Sequence, residues 1–277
     1  TVTGTRPDAP AQGAPPVLVS PLDTSPVLSL LHPLTAWSLH FSRGGSVTIF
    51  IRSDIFSHIQ PLTVEQDKLP IRRIAWDDKE LLMKVIDERF EHAAEKFSAD
   101  KIWQALFPAE VTGIPTKDWI ALHTMHRPRD IIYFLKEAIA MGVNRDHKAV
   151  TEDDLIDARE KYSQYVFSSV LSEDSPHKGK LEAVLYEFAG APRVLEAEDV
   201  VSRIRDAGVH GADLEFYIDL LCDINFLGIE TTSGFKLAAD ESERRTLRNV
   251  AAKLAERSGA GEKYEINPPF YQVLQVE

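Results

Sequence analysis

Several features that define common classes of protein are scarce or missing in this 277-residue sequence. It contains one cysteine, Cys222, which excludes an internal disulfide and a zinc site built from cysteines. No apolar run approaches the roughly 20 residues that a membrane helix needs. Basic residues number 31 against 43 acidic ones, and the net charge of −12 argues against a general affinity for nucleic acid, which requires clustered lysine and arginine. We therefore expect a cytoplasmic protein with no membrane contact, and we do not expect nucleic acid to be its partner.

The composition changes near residue 45. Residues 1–45 hold only four charged side chains and many prolines, and they are predicted to be mostly irregular because proline removes a hydrogen-bond donor and fixes φ. The β-branched and aromatic run at residues 47–51 predicts a buried strand, and a second short strand is predicted at residues 71–74. The polar run Arg52-Ser53-Asp54 directly follows the first strand. Open α/β sheets place ligand contacts at this end of a strand.

From residue 77 onward the apolar residues recur at helical spacing. Asp77 is predicted to cap the first helix. Pro128 is expected at the start of a longer helix, which is predicted to stop at Gly142 because glycine favours the position after a helix. Thr151 opens the next helix, with Asp154 as its capping partner.

Two stretches stand out: Phe50-Ile51-Arg52-Ser53-Asp54-Ile55-Phe56 at the strand end, and Thr124-Met125-His126-Arg127-Pro128-Arg129-Asp130 at the later helix start. With the capped helix between them, and in this order, they resemble the C-terminal half of bacterial AAA+ and STAND-type P-loop ATPases, over roughly residues 46–277. The resemblance implies that residues 46–76 end the ATPase core and that residues 77–172 form a helical lid.

The resemblance also implies roles for two arginines. Arg52 matches the sensor-1 strand, and Arg129 matches the sensor-2 arginine, which reaches from the lid toward the terminal phosphates of the nucleotide. Asp54 and Arg127 are candidate accessory residues. A guanidinium offers a fixed fork of donors to a phosphate, and a helix start adds N–H groups and a positive dipole end. The structural alternative is that Arg127 and Arg129 only flank a helix start in solvent, and that Arg52 forms an ion pair with Asp54 or a neighbouring acid.

Residues 173–277 resemble a winged helix. Three predicted helices precede a hairpin at residues 228–237, whose turn contains Ser233-Gly234, and a long amphipathic helix follows. The third helix would enter the major groove of DNA, but it carries four carboxylates and no basic residue. Residues 178–238 hold six basic and eleven acidic side chains, a balance of −5. A contact with a protein partner, or a contact within the molecule, is therefore predicted for this module.

The groups that hold ATP in P-loop enzymes are missing from this chain. No Gly-x-x-x-x-Gly-Lys-Ser/Thr loop is present, so the backbone cradle and the lysine that clamp phosphates are absent. No apolar run ending in two carboxylates precedes Val47, so the Mg²⁺-binding Walker B strand is missing too. The chain does not begin with methionine and is expected to derive from a longer parent. ATP and Mg²⁺ are expected in the intact parent, and no cofactor is expected for this chain alone.

The sequence therefore predicts a mostly α fold with a remnant of an α/β P-loop sheet, a helical lid and a C-terminal winged helix. The predicted function is that of an ATP-dependent molecular switch, in which ATP held between core and lid repositions the winged helix. No residue is predicted to be catalytic or to bind a metal, and the chain is not expected to hydrolyse ATP on its own. The alternative is a winged-helix regulatory or protein-interaction module without a nucleotide function.

Overall fold

The structure, a computed structural model, describes residues 50–51, 72, 74, 76, 78–173 and 178–277. The chain divides into two units after Leu69, and the helices and strands below belong to the unit Pro70–Glu277. This unit is mostly α-helical, as the sequence predicts, and carries two small antiparallel sheets.

The first half of this unit, residues 78–173, is built from helices and one two-stranded sheet. Its strands β1 and β2 are antiparallel and lie between the second and third helices. The elements in order are α1 (Lys79–Ala93), α2 (Ala99–Leu106), β1 (Glu110–Val111), β2 (Ile114–Pro115), α3 (Thr116–His123), α4 (Pro128–Asn144) and α5 (Glu152–Glu173).

The second half, residues 178–277, combines short helices with a four-stranded sheet and ends in a single turn of 3-10 helix, η1, and a short α-helix. Its elements in order are α6 (Lys178–Tyr186), β3 (Val194–Glu196), α7 (Ala197–Asp206), α8 (Asp213–Asp223), β4 (Leu227–Thr231), β5 (Gly234–Lys236), α9 (Glu241–Ser258), β6 (Lys263–Ile266), η1 (Pro268–Phe270) and α10 (Tyr271–Leu274).

The four-stranded sheet has the order β3-β6-β4-β5. Strands β4 and β5 form an antiparallel hairpin in which Thr231 lies opposite Gly234, as expected for the predicted hairpin. Gly234 has a φ of 106°, a conformation that residues with a side chain rarely adopt. Strand β6 returns after α9 and takes a central position between β3 and β4, which the sequence pattern does not indicate. Three helices before a hairpin are the order predicted for a winged helix, and the winged-helix assignment stays a prediction.

The long helix α9 has clear stop and start signals. Asp240 directly precedes it and accepts a hydrogen bond from the Glu243 N–H at 2.8 Å. Gly259 follows it in the left-handed conformation, which satisfies the helix end at little steric cost because glycine has no Cβ.

One hydrophobic core runs through both halves of the unit. Helices α4 and α5 pack against each other, and η1 and α10 from the end of the chain pack against α5. Within the second half, the rings of Phe188, Phe226 and Phe270 meet edge to face, with successive centroids 5.1 and 5.0 Å apart. The Ser163 hydroxyl of α5 accepts the Val273 N–H of α10 at 3.0 Å. The predicted boundary at residues 172 and 173 therefore does not interrupt the core, although the domain assignments on either side stay predictions.

The cap of α1 differs by one residue from the prediction. Asp78, rather than Asp77, precedes the helix, and its carboxylate accepts the N–H of Glu80 at 2.8 Å. A capping side chain has to sit directly before the first helical residue to reach the N–H groups of the first turn, and Asp78 holds that position.

The predicted end of α4 is wrong. The helix passes through Gly142 and continues to Asn144. Gly142 serves close packing instead, because a Cβ at this position would lie 3.4 Å from the Asp154 carboxylate and 3.7 Å from the Val150 backbone. The glycine lets the start of the next helix approach α4.

The two strands predicted before residue 77 are not seen at the positions that the structure describes. Phe50 and Ile51 lie in no strand, and the side chains of Phe50 and Ile74 are 81% and 66% exposed instead of buried. The sheets formed by the described residues contain no strand from this region, and a strand needs hydrogen-bonded neighbours to be stable in water. Residues 47–49, 71 and 73 lie outside the described residues, so the remnant of a P-loop sheet and the core domain at 46–76 stay predictions.

The buried carboxylate of Asp154 stabilises the connection between α4 and α5. Asp154 is fully buried and accepts hydrogen bonds from the N–H and the hydroxyl of Thr151 at 2.9 and 2.8 Å, while its own N–H donates to the Thr151 hydroxyl at 3.3 Å. This confirms the predicted capping pair. Arg145 Nη1 and His147 Nδ1 also lie 2.8 Å from the carboxylate. Burial alone would raise the pKa of Asp154, but the hydrogen bonds outweigh it and hold the pKa well below its usual value.

We expect Asp154→Ala to lower the free energy of unfolding by roughly 2–4 kcal/mol, because Thr151, His147 and Arg145 lose a buried acceptor. Urea denaturation followed by circular dichroism measures the loss.

The pKa of Asp154 is lower in the folded state than in the unfolded state, so its contribution to stability is present above about pH 4 and disappears as the pH falls through the folded pKa. Stability should therefore fall less steeply below about pH 4 in the variant than in the wild type.

Asp157→Ala is the matched control for this prediction. Asp157 lies on the same helix and pairs with the same Arg145, but its side chain is largely exposed. We expect its loss to stay below about 1 kcal/mol, as for other exposed ion pairs. Equal losses in the two variants would contradict the role given to the buried carboxylate.

Candidate functional site

The candidate site is the start of α4, where the sequence places Arg127-Pro128-Arg129. Arg127 is the last residue before the helix and Pro128 is its first residue. Proline suits this position because its fixed φ fits the helix and its missing N–H would have no partner within the helix. The first turn is closed by the N–H of Asp130, which donates to the Arg127 carbonyl at 3.0 Å. Helix α4 thus presents its positive dipole end at the two arginines.

A buried hydrogen-bonded chain holds this helix start in place. The Asp130 carboxylate, 2% exposed, accepts a hydrogen bond from the Tyr162 hydroxyl of α5 at 3.0 Å. The same hydroxyl accepts the Met125 N–H, in the segment between α3 and α4, at 2.9 Å. One step earlier, the Thr124 hydroxyl donates to the Ile120 carbonyl at 2.8 Å. The segment that leads into α4 is therefore tied both to α3 and to α5.

The pKa shifts of Asp130 and Tyr162 favour one direction for the hydrogen bond between them. Burial raises the pKa of Asp130, and the bond from Tyr162 and the charges of Arg127 and Arg129 oppose that shift. Burial, followed by the nearby Asp130 charge, raises the pKa of Tyr162 far above its usual value. Tyr162 thus keeps its proton at any ordinary pH and acts as donor to Asp130.

The structure places the predicted lid residues together and leaves the predicted core residues outside its described part. Arg129 contacts Asp130 through Nε at 3.4 Å, and its side chain is 53% exposed. Arg127 is half-buried one residue before the helix. Arg52 and Asp54 lie outside the described residues, and so does the predicted cleft between Arg52 and Arg129.

Asp130 and Tyr162 are functional candidates that reasoning from the sequence did not single out. Asp130 has a local signal, since it is the third residue of a helix, where carboxylates favour the dipole and the unpaired N–H groups. Tyr162 lies 32 residues further along the chain, on an apolar helix face, and no local pattern marks its hydroxyl.

The acidic third helix of the second half, α8, is largely neutralised by α9. Arg248 of α9 donates to Asp219 at 2.7 Å and also bonds Glu215. Arg244, which is buried, lies 3.2 Å from Asp219 and bonds Asp223. Three of the four carboxylates counted against DNA binding thus contact arginines. Arg244 and Arg248 place α9 beside the face of α8 that carries them, and a helix that reads the major groove would need that face to be accessible to DNA.

In the part of the chain that the structure describes, no three His, Cys, Asp or Glu side chains are grouped as a metal site would require. Within the same residues, no helix is both long enough and apolar enough to cross a membrane.

Comparison with known proteins gives a match to part of the chain. A model of the FunZ-associated C-terminal helical domain family matches residues 80–171. The matched segment comprises α1 to α5 and lies almost at the bounds of the predicted lid, residues 77–172. No curated protein and no solved structure matches the chain. Over α1 to α5 the chain is therefore similar to a helical domain that lies C-terminal to another part of its protein.

We expect Tyr162→Phe to lower the free energy of unfolding by roughly 1–3 kcal/mol, because the Met125 N–H and the Asp130 carboxylate both lose a buried partner. Chemical denaturation gives the magnitude. In addition, hydrogen exchange of the Met125 amide should become faster, since its hydrogen bond is removed.

Tyr165→Phe is the control, because Tyr165 lies on the same helix, is half-buried and stacks on Tyr133 with ring centroids 3.9 Å apart. Its hydroxyl bonds no other described residue. The control should change stability by less than about 0.5 kcal/mol. If both variants behaved alike, the Tyr162 hydroxyl would not hold the helix start.

Proposed function

We propose that this chain supplies the helical lid and a regulatory C-terminal module of a P-loop ATPase that works as an ATP-dependent switch, with Arg129 directed at the terminal phosphates of ATP. The supporting observation is the position of Arg129. It is the second residue of the 17-residue helix α4, and its side chain is half-exposed. Buried hydrogen bonds hold this helix start in place. Preorganised donors of this kind bind phosphate well, because little further ordering is needed on binding.

The chemistry at the α4 start suits a triphosphate. Charge spreads over the γ-phosphate during phosphoryl transfer, and a guanidinium can meet it with two parallel hydrogen bonds. The helix dipole adds a partial positive charge at the same end. Asp130 contacts Arg129 at 3.4 Å, and a bound triphosphate would compete with that contact.

The contacts of Met125 offer a route from the lid to the C-terminal module. Its N–H bonds the Tyr162 hydroxyl, and its sulfur lies 3.5 Å from the Asn267 side-chain amide just after β6. Asn267 in turn donates to the Asn225 carbonyl, before β4, at 2.8 Å. A displacement of the α4 start on binding of ATP would therefore be transmitted to the centre of the four-stranded sheet. Lid and module would move as one body relative to the ATPase core.

The family match is consistent with this proposal in one respect. It assigns a helical domain to residues 80–171, which include Arg127 and Arg129. The description of the family places that domain after another part of a protein, as a lid would be. It names no ATPase, so the nucleotide role rests on the resemblance of the two sequence stretches and on the geometry of Arg129.

A protein-interaction module is the second candidate. It is favoured by a groove between the hairpin and α9, lined by Thr232 on one side and by Val250 and Leu254 on the other. Val250 is exposed despite its apolar side chain. A module of this kind would bind its partner whether ATP is present or not.

The purified 277-residue chain should hydrolyse ATP no faster than background, because its sequence has neither a phosphate-binding loop nor a Walker B strand. Release of inorganic phosphate from Mg·ATP measures this. Hydrolysis that appears in the wild type and disappears in Arg129→Ala would reveal a nucleotide site that these motifs do not account for.

In a longer chain that carries an upstream phosphate-binding loop and Walker B strand, Arg129→Ala should weaken ATP binding about tenfold or more and ADP binding much less. The reason is that Arg129 would contact the γ-phosphate, which ADP lacks, and a charge-assisted hydrogen bond contributes roughly 1.5–3 kcal/mol. Calorimetry with both nucleotides gives the ATP-to-ADP affinity ratio.

The control is Arg89→Ala, which removes an exposed arginine from α1. It should leave the affinity ratio unchanged. If Arg129→Ala also leaves the ratio unchanged, Arg129 only flanks a helix start and the sensor role is lost. The protein-interaction alternative would then be preferred.

A further inference from the structure

A cluster of two arginines and three rings lies where the two halves of the unit meet. His123 ends α3, Arg159 lies on α5, Arg193 precedes β3 and Tyr271 begins α10. The Arg159 guanidinium is centred 5.9 Å from the ring of Trp119, and the His123 ring lies 4.3 Å from that same ring. The Arg193 guanidinium is 5.3 Å from the Tyr271 ring. Helix α10 packs against α5, and both arginines act electrostatically on the His123 ring.

Arg159 has a buried nitrogen that lacks a hydrogen-bond partner among the described residues. It is half-buried, and its Nε is fully buried without a hydrogen-bond partner among the described residues. It forms no ion pair with any carboxylate in residues 78–173 or 178–277. Burial lowers the pKa of Arg159, and the charge of Arg193 lowers it further. A buried guanidinium with an unmet donor is costly, and its contact with the Trp119 face offsets that cost only in part.

Arg193 is positioned by its backbone. Its N–H donates to the Glu277 carbonyl at 3.2 Å, and its carbonyl accepts the Ile266 N–H of β6 at 2.8 Å. Its side chain is exposed. Glu265 is the acid on which its charge acts, but burial raises the pKa of that carboxyl and no ion pair within 4 Å joins the two. The second cation of the cluster is therefore held in place without a close counter-ion.

The pKa of His123 indicates that the electrostatic potential in this cluster is positive. Its Nδ1 donates to the Trp119 carbonyl at 2.8 Å. Burial, and after it the charges of Arg159 and Arg193, lower the pKa of His123 to about 4. At neutral pH the ring is thus uncharged and adds no third cation. The two arginines leave close to two positive charges to be balanced by a ligand.

We propose that Arg159 and Arg193 form a binding site for a phosphate dianion, free or carried by a small molecule, at the seam between the lid helices and the C-terminal module. A phosphate carries nearly two negative charges at neutral pH and three acceptor oxygens, which match two guanidinium groups. A bound phosphate would relieve the repulsion between the two cations. The proposal does not depend on Arg129 or on an ATPase function, because none of its residues lies at the α4 start.

The test is a titration of the 277-residue chain with inorganic phosphate at constant ionic strength, followed by the NMR signals of the His123 ring. Saturable shifts are expected in the wild type. Arg159→Gln and Arg193→Gln should each weaken binding about tenfold or more, as expected for the loss of charge-assisted hydrogen bonds. Arg205→Gln, which removes an exposed arginine from α7, is the control and should bind as the wild type does.

A second readout separates binding from folding defects. The pKa of His123 should rise when phosphate saturates the site, and it should also rise without phosphate in Arg193→Gln, since Arg193 lowers it. Arg193 is exposed, so that variant is expected to fold normally.

Parallel titrations with ADP and ATP identify the source of the phosphate group. Saturation by inorganic phosphate indicates a free ion, and saturation by nucleotides alone indicates a nucleotide phosphate. Absence of saturation by all three ligands, or equal weakening in Arg205→Gln, would overturn the proposal.

Discussion

The hydroxyl of Tyr162 is the contact on which the geometry of the α4 start depends. Where the chain turns from α3 into α4, a backbone N–H and a carboxylate are both buried, and each is costly without a partner. One hydroxyl serves both, since it accepts from Met125 and donates to Asp130. Its raised pKa keeps the proton that this dual role requires. The positions of Arg127 and Arg129 therefore follow from a buried polar contact with α5, and not from the helix start alone.

The end of the chain extends this constraint to the second half of the unit. Strand β6 enters the centre of the sheet, and η1 and α10 then return to α5. Asn267, between β6 and η1, reaches both the Asn225 carbonyl and the Met125 sulfur. Met125 thus contacts α5 through its backbone and, through its side chain, Asn267 next to the sheet. A unit built in this way resists bending between its halves, because separating them would break the Val273–Ser163 hydrogen bond and the packing of η1 and α10 against α5.

Features encoded within a few residues could be predicted from the sequence, and features that depend on distant pairs could not. The Thr151–Asp154 capping pair and the β4–β5 hairpin are local, and both are present. The stop predicted at Gly142 failed because that glycine is needed for close approach to Asp154, a tertiary requirement. At the site, the arginines were found through a resemblance that covers consecutive residues. The partner of Asp130 lies 32 residues away, and its hydroxyl has no signature in the sequence.

Net charge is another sequence property that predicts general behaviour but not individual sites. A total of −12 argues against general attraction to nucleic acid, because that attraction depends on the summed field. It does not describe individual sites, since opposite charges that pair cancel locally. Three of the four carboxylates of α8 pair with Arg244 and Arg248 of α9, so this acidic helix contributes little free charge on that face. Arg159 and Arg193 have no such partners among the described residues. A strongly acidic chain can therefore carry a compact positive site, because pairing, and not composition, decides where charge remains.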